Sequence, residues 1–327
     1  MSTVLTIRGP IDSSELGRIL SHEHFTNGMG GMEHVVGLLD REAMINRCVN
    51  ALERAKAVGI DGILDVTPND LGRQVWLFEA VAERTTSNVI AATGVYRWVP
   101  PYFFGWDADE IADYFIREIE DGIEGSRVHA AIIKLAWDIE YQLNDPAIRV
   151  TPRAMLERTA RAAARASKAT GVPITCHTRA IDELGTPLLD IFDDEGLDLR
   201  AVTIGHSNDT QDLDYLRGLL RRGATVGLDR FGNGDAEYIA QRSGVALGMI
   251  QSGFAGQVSL GHDASPAGLW GRWIADDTVA EAAWTRVSEL EVPWLLANGA
   301  TEADIDAMLR GSIRATFEAA AKMAGKA

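Results

Sequence analysis

Short runs of almost unbroken apolar residues recur along the chain, with longer stretches of helical periodicity between them. Such runs are typical of parallel strands that are buried on both faces. Eight of them occupy residues 19–20, 62–66, 89–93, 130–135, 173–177, 202–206, 225–229 and 258–263. Successive runs lie far enough apart for one helix and two loops. The pattern predicts an α/β fold, a (β/α)8 TIM barrel.

The stretches between the runs have the periodicity of outer helices. Residues 41–58 place Met44 and Leu52 on one side, and residues 151–170 are rich in Ala and Arg, with Pro152 at their start. No linker rich in Gly, Pro or Ser interrupts the alternation, so residues 1–327 are predicted to form a single barrel domain.

Composition excludes several classes of function. Lys and Arg number 31 against 47 Asp and Glu, giving a net charge of −16, so we expect no nucleic-acid partner. No apolar stretch is long enough to cross a bilayer, and no signal peptide is recognised at the start. The only cysteines, Cys48 and Cys176, have apolar neighbours and predict buried thiols in a cytoplasmic protein.

Histidines are concentrated at the predicted carboxyl ends of the strands. His22 and His24 are two residues apart and therefore face the same side of the first strand, while His177 and His206 end the fifth and sixth strands. Asp263 ends the eighth strand. A single histidine here is as readily a buried core residue as a ligand, but the grouping at one rim indicates a metal site.

Lys134 ends the fourth strand and would point into the same barrel mouth. An ammonium about 4 Å from a divalent ion would be repelled by roughly 8 kcal/mol at an effective dielectric constant of 20. Either no metal is bound, or the lysine is not an ammonium. Reaction with carbon dioxide would convert the amine into an anionic carbamate that can bridge two cations. The alternative is a lysine that pairs with an inward-facing acid.

These segments together resemble the phosphotriesterase family of the amidohydrolase superfamily, and within it the phosphotriesterase-like lactonases. The resemblance covers nearly the whole length and keeps the family's order and spacing. It is carried by LSHEHF, the strand-four lysine in IIKLA, CHT, IGHSNDT, GLDRFG and GHDAS, and TGVYRWVPPYFF resembles the lactonase branch.

The resemblance implies two divalent ions, of zinc, cobalt, manganese or iron. His22, His24 and Asp263 would hold the more buried ion, and His177 and His206 the more exposed one. Carboxylated Lys134 and a hydroxide would bridge them, and Asp263 would also carry the proton.

The resemblance further implies a substrate pocket above the ions. Tyr96 would orient the ring or the hydroxide, and Arg230 would help to shape the pocket, unless it forms only a surface salt bridge. Further pocket residues come from the loops after strands three and eight: Trp98, Phe104, Leu269, Trp270, Trp273 and Ile274. The loop after strand eight departs from the usual family sequence.

The implied activity is metal-dependent opening of the lactone ring of N-acyl homoserine lactones, which would quench quorum signals, with weak promiscuous phosphotriesterase activity. The alternative is that organophosphate triesters, or other lactones or esters, are the main substrates. A metal-binding sensor without turnover and a mononuclear deaminase are competing hypotheses, but the first would tolerate a missing ligand and the second does not need Lys134. The resemblance also implies a homodimer.

Several residues near these motifs are predicted to have no catalytic role. Glu23 and Cys176 alternate with the predicted ligands and should face the helix layer, and His262 should face away from the site. Asp229 ends strand seven, where it is expected to brace a ligand or a loop. His34 and His129 lie outside any strand end and are expected to be ordinary polar residues.

Overall fold

The chain folds into a barrel of eight parallel strands that pair in sequence order, with helices following the strands on the outside. The computed structural model describes residues 2–32, 40–97, 99–138, 153–232, 236–268 and 277–326. The barrel strands are β3 (Ile19–Glu23), β4 (Gly62–Asp65), β5 (Asn88–Gly94), β6 (Ala130–Trp137), β7 (Ile174–Thr178), β8 (Val202–Gly205), β9 (Thr225–Leu228) and β10 (Val258–Leu260). This is the (β/α)8 TIM barrel that the sequence predicts.

The helices of the outer layer alternate with the strands. They are α1 (Arg41–Ala57), α2 (Val75–Ala82), α3 (Ala108–Glu120), α4 (Arg153–Thr170), α5 (Gly185–Asp194), α6 (Leu213–Arg221), α7 (Ala236–Gln251), α8 (Asp277–Glu281), α9 (Val292–Ala297), α10 (Glu302–Asp306) and α11 (Ser312–Met323). Wider π-helical turns at Val287–Glu291 and Ala307–Gly311 precede α9 and α11. Within the described ranges, no helix has the length and apolar character needed to span a membrane.

All eight predicted strands are present, but each ends one to three residues away from the predicted position, and the largest shifts are at β3 and β10. β3 continues to Glu23, and β10 stops at Leu260, three residues before Asp263. Asp263 has a left-handed backbone with φ 55°, and His206, just after β8, has φ 58°. Because a left-handed residue leaves the pleated conformation, these two side chains lie on turns that follow the strands.

An antiparallel hairpin, β1 (Thr3–Thr6) and β2 (Gly9–Asp12), precedes the barrel and was not predicted from the sequence. Val4 from this hairpin packs in one hydrophobic cluster with Ile90 and Ile132 from the barrel strands and Phe317 from α11. The hairpin and the last helix therefore cover the amino-terminal end of the barrel, opposite the predicted site.

The barrel has a seam between its first and last strands. Within the described part of the chain, continuous parallel pairing runs from β3 through to β10, but no ladder joins β10 back to β3. Individual hydrogen bonds cross the gap instead. Ser21 Oγ donates to the Leu260 carbonyl over 3.1 Å, and the Asp263 amide donates to the His22 carbonyl over 3.0 Å.

Candidate metal centre

The six predicted ligands form one cluster at the carboxyl end of the barrel. The rings of His22 and His206 are stacked with centroids 4.7 Å apart, and those of His177 and His206 lie 4.3 Å apart. Asp263 Oδ1 is 3.2 Å from His24 Nε2, and Lys134 Nζ is 2.8 Å from His22 Nε2. Lys134 is completely buried.

Asp229 fixes the outer nitrogens of two of the histidines. Its Oδ2 lies 2.7 Å from His22 Nδ1, and its Oδ1 lies 2.8 Å from His206 Nδ1. The His206 amide donates to the same Oδ1 over 2.8 Å. Burial favours a higher pKa for Asp229, but His206 and His22 hold the pKa well below its usual range. A carboxylate only accepts, so both Nδ1 atoms carry their protons and both Nε2 atoms present lone pairs.

The other two histidines are oriented in the same way by different partners. Thr67 Oγ1 lies 2.8 Å from His24 Nδ1 and donates its own proton to the Thr26 carbonyl over 3.1 Å, so the imidazole must be the donor. Asp138 Oδ2 lies 2.9 Å from His177 Nε2. The free lone pairs are therefore on His24 Nε2 and His177 Nδ1.

The inner atoms of the cluster are electron-pair donors that face one another. His206 Nε2 and His177 Nδ1 are 2.7 Å apart, and His24 Nε2 faces the Asp263 carboxylate. Lone pairs at such distances repel unless a proton or a metal cation lies between them. Imidazole nitrogens and a carboxylate in one buried pocket suit divalent transition metals, so the residues present fit a metal centre.

Burial tunes the protonation of the cluster toward metal binding. It lowers the pKa of His22 to about 4 and the pKa values of His177 and His206 below the ordinary value. It also lowers the pKa of Lys134 to about 8, although Asp263 and Asp229 oppose that shift. These three imidazoles are therefore neutral near pH 7, as ligands must be.

We expect the metal-free protein to lose stability as the pH falls from about 6.5 toward 4. An unfolded histidine takes up its proton near pH 6.5, but folded His22 does so only near 4, so acid favours the unfolded chain in this window. One such group contributes up to about 1.4 kcal/mol per pH unit. Urea unfolding of EDTA-treated protein at pH 7 and 5 measures the loss. His22→Asn should lose less unfolding free energy between pH 7 and 5 than the native protein does. An equal loss in the two proteins would contradict the lowered pKa of His22.

Three glycines make room for the Asp229 carboxylate. A Cβ on Gly227 would lie 2.8 Å from Asp229 Oδ2, and one on Gly205 would lie 2.9 Å from the same atom and 3.0 Å from the Cys176 carbonyl. A Cβ on Gly261 would lie 3.2 Å from Asp229 Cβ. Glycine at these positions therefore leaves the space in which the Asp229 carboxylate reaches both His22 and His206.

Gly205→Ala is expected to weaken metal binding by about 10- to 100-fold, because the new methyl displaces Asp229 and both imidazoles lose their orientation. Competition with a chelator measures the change. Gly218→Ala is the matched control, since a Cβ at this position of α6 would meet nothing within 4 Å. Equal metal affinity in Gly205→Ala and Gly218→Ala would show that Asp229 tolerates the displacement.

Two predicted substrate residues flank the cluster. The Tyr96 ring contacts His177 edge-on, with centroids 5.4 Å apart. Arg230 Nε is 3.4 Å from Asp263 Oδ2, and its Nη1 is 3.0 Å from Asp209 Oδ2. Arg230 therefore bridges two aspartates in the barrel mouth, with 29% of its side chain exposed, and is not confined to a surface salt bridge.

The remaining pocket predictions have different outcomes. Phe104 is 41% exposed in a turn over Pro101–Gly105, while the neighbouring Phe103 is buried. Five predicted pocket residues lie outside the described residues, as does His34. They are Trp98, Leu269, Trp270, Trp273 and Ile274.

The residues predicted to have no catalytic role do not join the inner ligand atoms. Cys176 is buried in the main hydrophobic cluster, and His129 Nδ1 bonds to the Ile119 carbonyl over 2.9 Å. Glu23 contacts His262. Asp229 lies close enough to His22 and His206 to suggest a metal group of its own, but its oxygens already accept hydrogen bonds from both.

Two site residues were missed from the sequence. Asp138 follows Lys134 by four positions and so shares its side of an extended segment, a spacing that could have identified it. Thr67 offers no comparable signal, because a threonine after a strand has many other uses.

A barrel with imidazoles and carboxylates gathered at the carboxyl ends of its strands defines a class of metal-dependent barrel enzymes. The sequence model of the Phosphotriesterase family matches residues 2–317. The chain belongs to this family and is a hydrolase.

The relatives below are similar to this chain over nearly its whole length. An aryldialkylphosphatase from Saccharolobus solfataricus is 32% identical over 92% of this chain and 95% of its own length. A phosphotriesterase homology protein from Mycobacterium tuberculosis is 33% identical over 97% of this chain and 98% of its own. The solved structure of the phosphotriesterase from Mycobacterium tuberculosis superposes with a TM-score of 0.84 at 32% identity, covering 97% and 98% of the two chains.

Proposed function

We propose that this protein opens the lactone ring of N-acyl homoserine lactones, with phosphotriesters as weak side substrates. The observation that carries the metal-dependent part is the set of inward-facing lone pairs on four histidines beside Asp263 and Lys134. The lactone preference rests on Tyr96, whose ring lies against His177 in the segment that resembles the lactonase branch.

The ligands would divide between two ions. His22, His24 and Asp263 would hold one, His177 and His206 the other, and Lys134 would reach both as a carbamate. With a pKa of about 8, about a tenth of Lys134 is a free amine at pH 7. Its nitrogen can add to carbon dioxide and release one proton. Zinc, cobalt, manganese and iron all suit these ligands.

Two such ions would polarise the carbonyl or phosphoryl oxygen and supply hydroxide near neutral pH. The chain's own residues then handle binding and proton transfer. Asp263 would take the proton that remains on the added hydroxide and release it toward the leaving alkoxide. Arg230, 3.4 Å from Asp263, would keep that carboxylate oriented. Tyr96 would orient the lactone ring.

The test compares hydrolysis of a long-chain N-acyl homoserine lactone with that of a phosphotriester, using metal-loaded protein and an EDTA-stripped control. We expect kcat/KM for the lactone to be higher by orders of magnitude and to vanish on stripping. Preference for the phosphotriester would support the alternative, a substrate class that matches the name of the 32% identical aryldialkylphosphatase. Without turnover of either, other lactones and esters become the candidates.

The setting of the enzyme is part of the proposal. A cytoplasmic homodimer that degrades N-acyl homoserine lactones would quench quorum signals inside the cell that produces the enzyme. Both cysteines are free and buried, which is compatible with a reducing compartment. Sedimentation of the purified protein tests the dimer.

A further inference from the structure

Glu23 spans the seam between the first and last strands of the barrel. Glu23 lies between the two predicted ligands His22 and His24 in the sequence, and its side chain is fully buried. Glu23 Oε1 accepts from the His262 amide and from His262 Nδ1, each over 2.8 Å. Glu23 Oε2 accepts from the Ala264 amide over 3.3 Å.

The partner on the far side of His262 defines the direction of this network. The Val287 amide donates to His262 Nε2 over 2.9 Å. An amide can only donate, so Nε2 is the acceptor and the imidazole proton resides on Nδ1, directed at Glu23. Three N–H groups therefore point at one carboxylate, an arrangement that anchors it against the turn at the start of the Val287–Glu291 segment.

The bonds to Glu23 enclose Asp263 on both sides. The amides of His262 and Ala264 bond to Glu23, and the amide of Asp263 bonds to the His22 carbonyl over 3.0 Å. Asp263 itself is left-handed at φ 55°, a conformation that is unfavourable for most residues other than glycine. Such a backbone persists only where its surroundings fix it.

We propose that Glu23 is a positioning residue that holds Asp263 in its left-handed turn and so fixes the Asp263 carboxylate against His22 and His24 across the barrel seam. Glu23 adds a buried side-chain anchor to the individual hydrogen bonds that cross the seam where no ladder joins β3 and β10. It touches neither substrate nor metal and acts through Asp263. The inference rests on the proposed metal site. Its test measures metal affinity, so the result does not depend on which substrate the enzyme hydrolyses.

The experiment titrates metal-free protein with Co²⁺ in competition with a chelator. Glu23→Gln keeps the size of the side chain and one acceptor oxygen for His262, but turns an NH2 group toward the Ala264 N–H. We expect a 10- to 100-fold loss of cobalt affinity and a changed visible cobalt spectrum. Ser21→Ala is the matched control. It removes another hydrogen bond of the same seam, 3.1 Å to Leu260, and should change cobalt affinity less than about threefold.

A double-mutant cycle separates positioning from general stability. If Glu23 acts through Asp263, then Glu23→Gln combined with Asp263→Asn binds cobalt no more weakly than Asp263→Asn alone, within about threefold. Circular dichroism verifies that each variant folds. If Glu23→Gln does not fold, Glu23→Asp replaces it in the cycle, because aspartate withdraws the carboxylate by one methylene. Unchanged cobalt affinity without Glu23, an equal loss in Ser21→Ala, or losses that multiply in the double variant would each overturn the proposal.

Discussion

Lys134→Ala is expected to retain at most one of two bound ions and to lose roughly a thousandfold or more in kcat/KM. The side chain is completely buried, with Nζ 2.8 Å from His22 Nε2, so no neighbouring residue or bulk water replaces it. Metal analysis per chain and steady-state kinetics on the preferred substrate measure the two effects. Added bicarbonate should not restore the variant, whereas it should speed the reactivation of metal-free native enzyme.

The control for Lys134 must create a cavity without touching the ligands. Leu135→Ala does so, because Leu135 is the next residue on β6, is buried, and packs in the main hydrophobic cluster on the helix side. It should lower stability by about 2 to 5 kcal/mol and leave the metal content unchanged. Two ions per chain and full turnover in Lys134→Ala would refute the bridging role.

Asp263→Asn is expected to fold and to turn over substrate about 100- to 10,000-fold more slowly. Asparagine accepts the left-handed backbone as readily as aspartate does, so the turn at φ 55° is retained. What changes is the charge beside His24 Nε2, 3.2 Å away, and the ability to carry a proton. The readouts are kcat, the metal content and the melting temperature.

Asp198→Asn serves as the comparison for Asp263→Asn. Asp198 pairs with Arg200 ahead of β8, remote from the ligand cluster, and its loss should leave kcat within about twofold because an exposed ion pair contributes little. Native turnover in Asp263→Asn would remove this residue from the mechanism.

The barrel, and the clustering of the six predicted ligand residues at one end of it, could be predicted because both depend on a repeated local pattern. Each strand is a short apolar run, and His177 lies one residue before the end of β7 at Thr178. His206 and Asp263 were predicted to end their strands but lie beyond the strand ends, with φ angles of 58° and 55°. The pattern of apolar residues does not reveal such left-handed backbone angles. The hairpin around Gly9 was missed because its second strand, Gly9–Asp12, consists of Gly, Pro, Ile and Asp and so is not an apolar run.

Contacts between distant residues set the limit of sequence reasoning. A bracing role for Asp229 was expected, but its simultaneous contact with His22 and His206, and the glycines that admit it, required coordinates. Glu23 was correctly placed away from the ligand atoms, yet strand alternation cannot reveal that it meets His262 across the seam. Side-chain hydrogen bonds between the two ends of the chain follow from closure of the barrel.

The seam has a consequence for how the protein matures during synthesis. Asp263 follows its partner His24 by 239 residues, so at 5 to 20 residues per second a ribosome needs about 10 to 50 s between them. Through that interval the nascent chain carries a histidine pair without its carboxylate. At the proposed metal site, full-affinity metal capture would therefore be a late event that requires a closed barrel, and ions acquired earlier would be held by an incomplete ligand set.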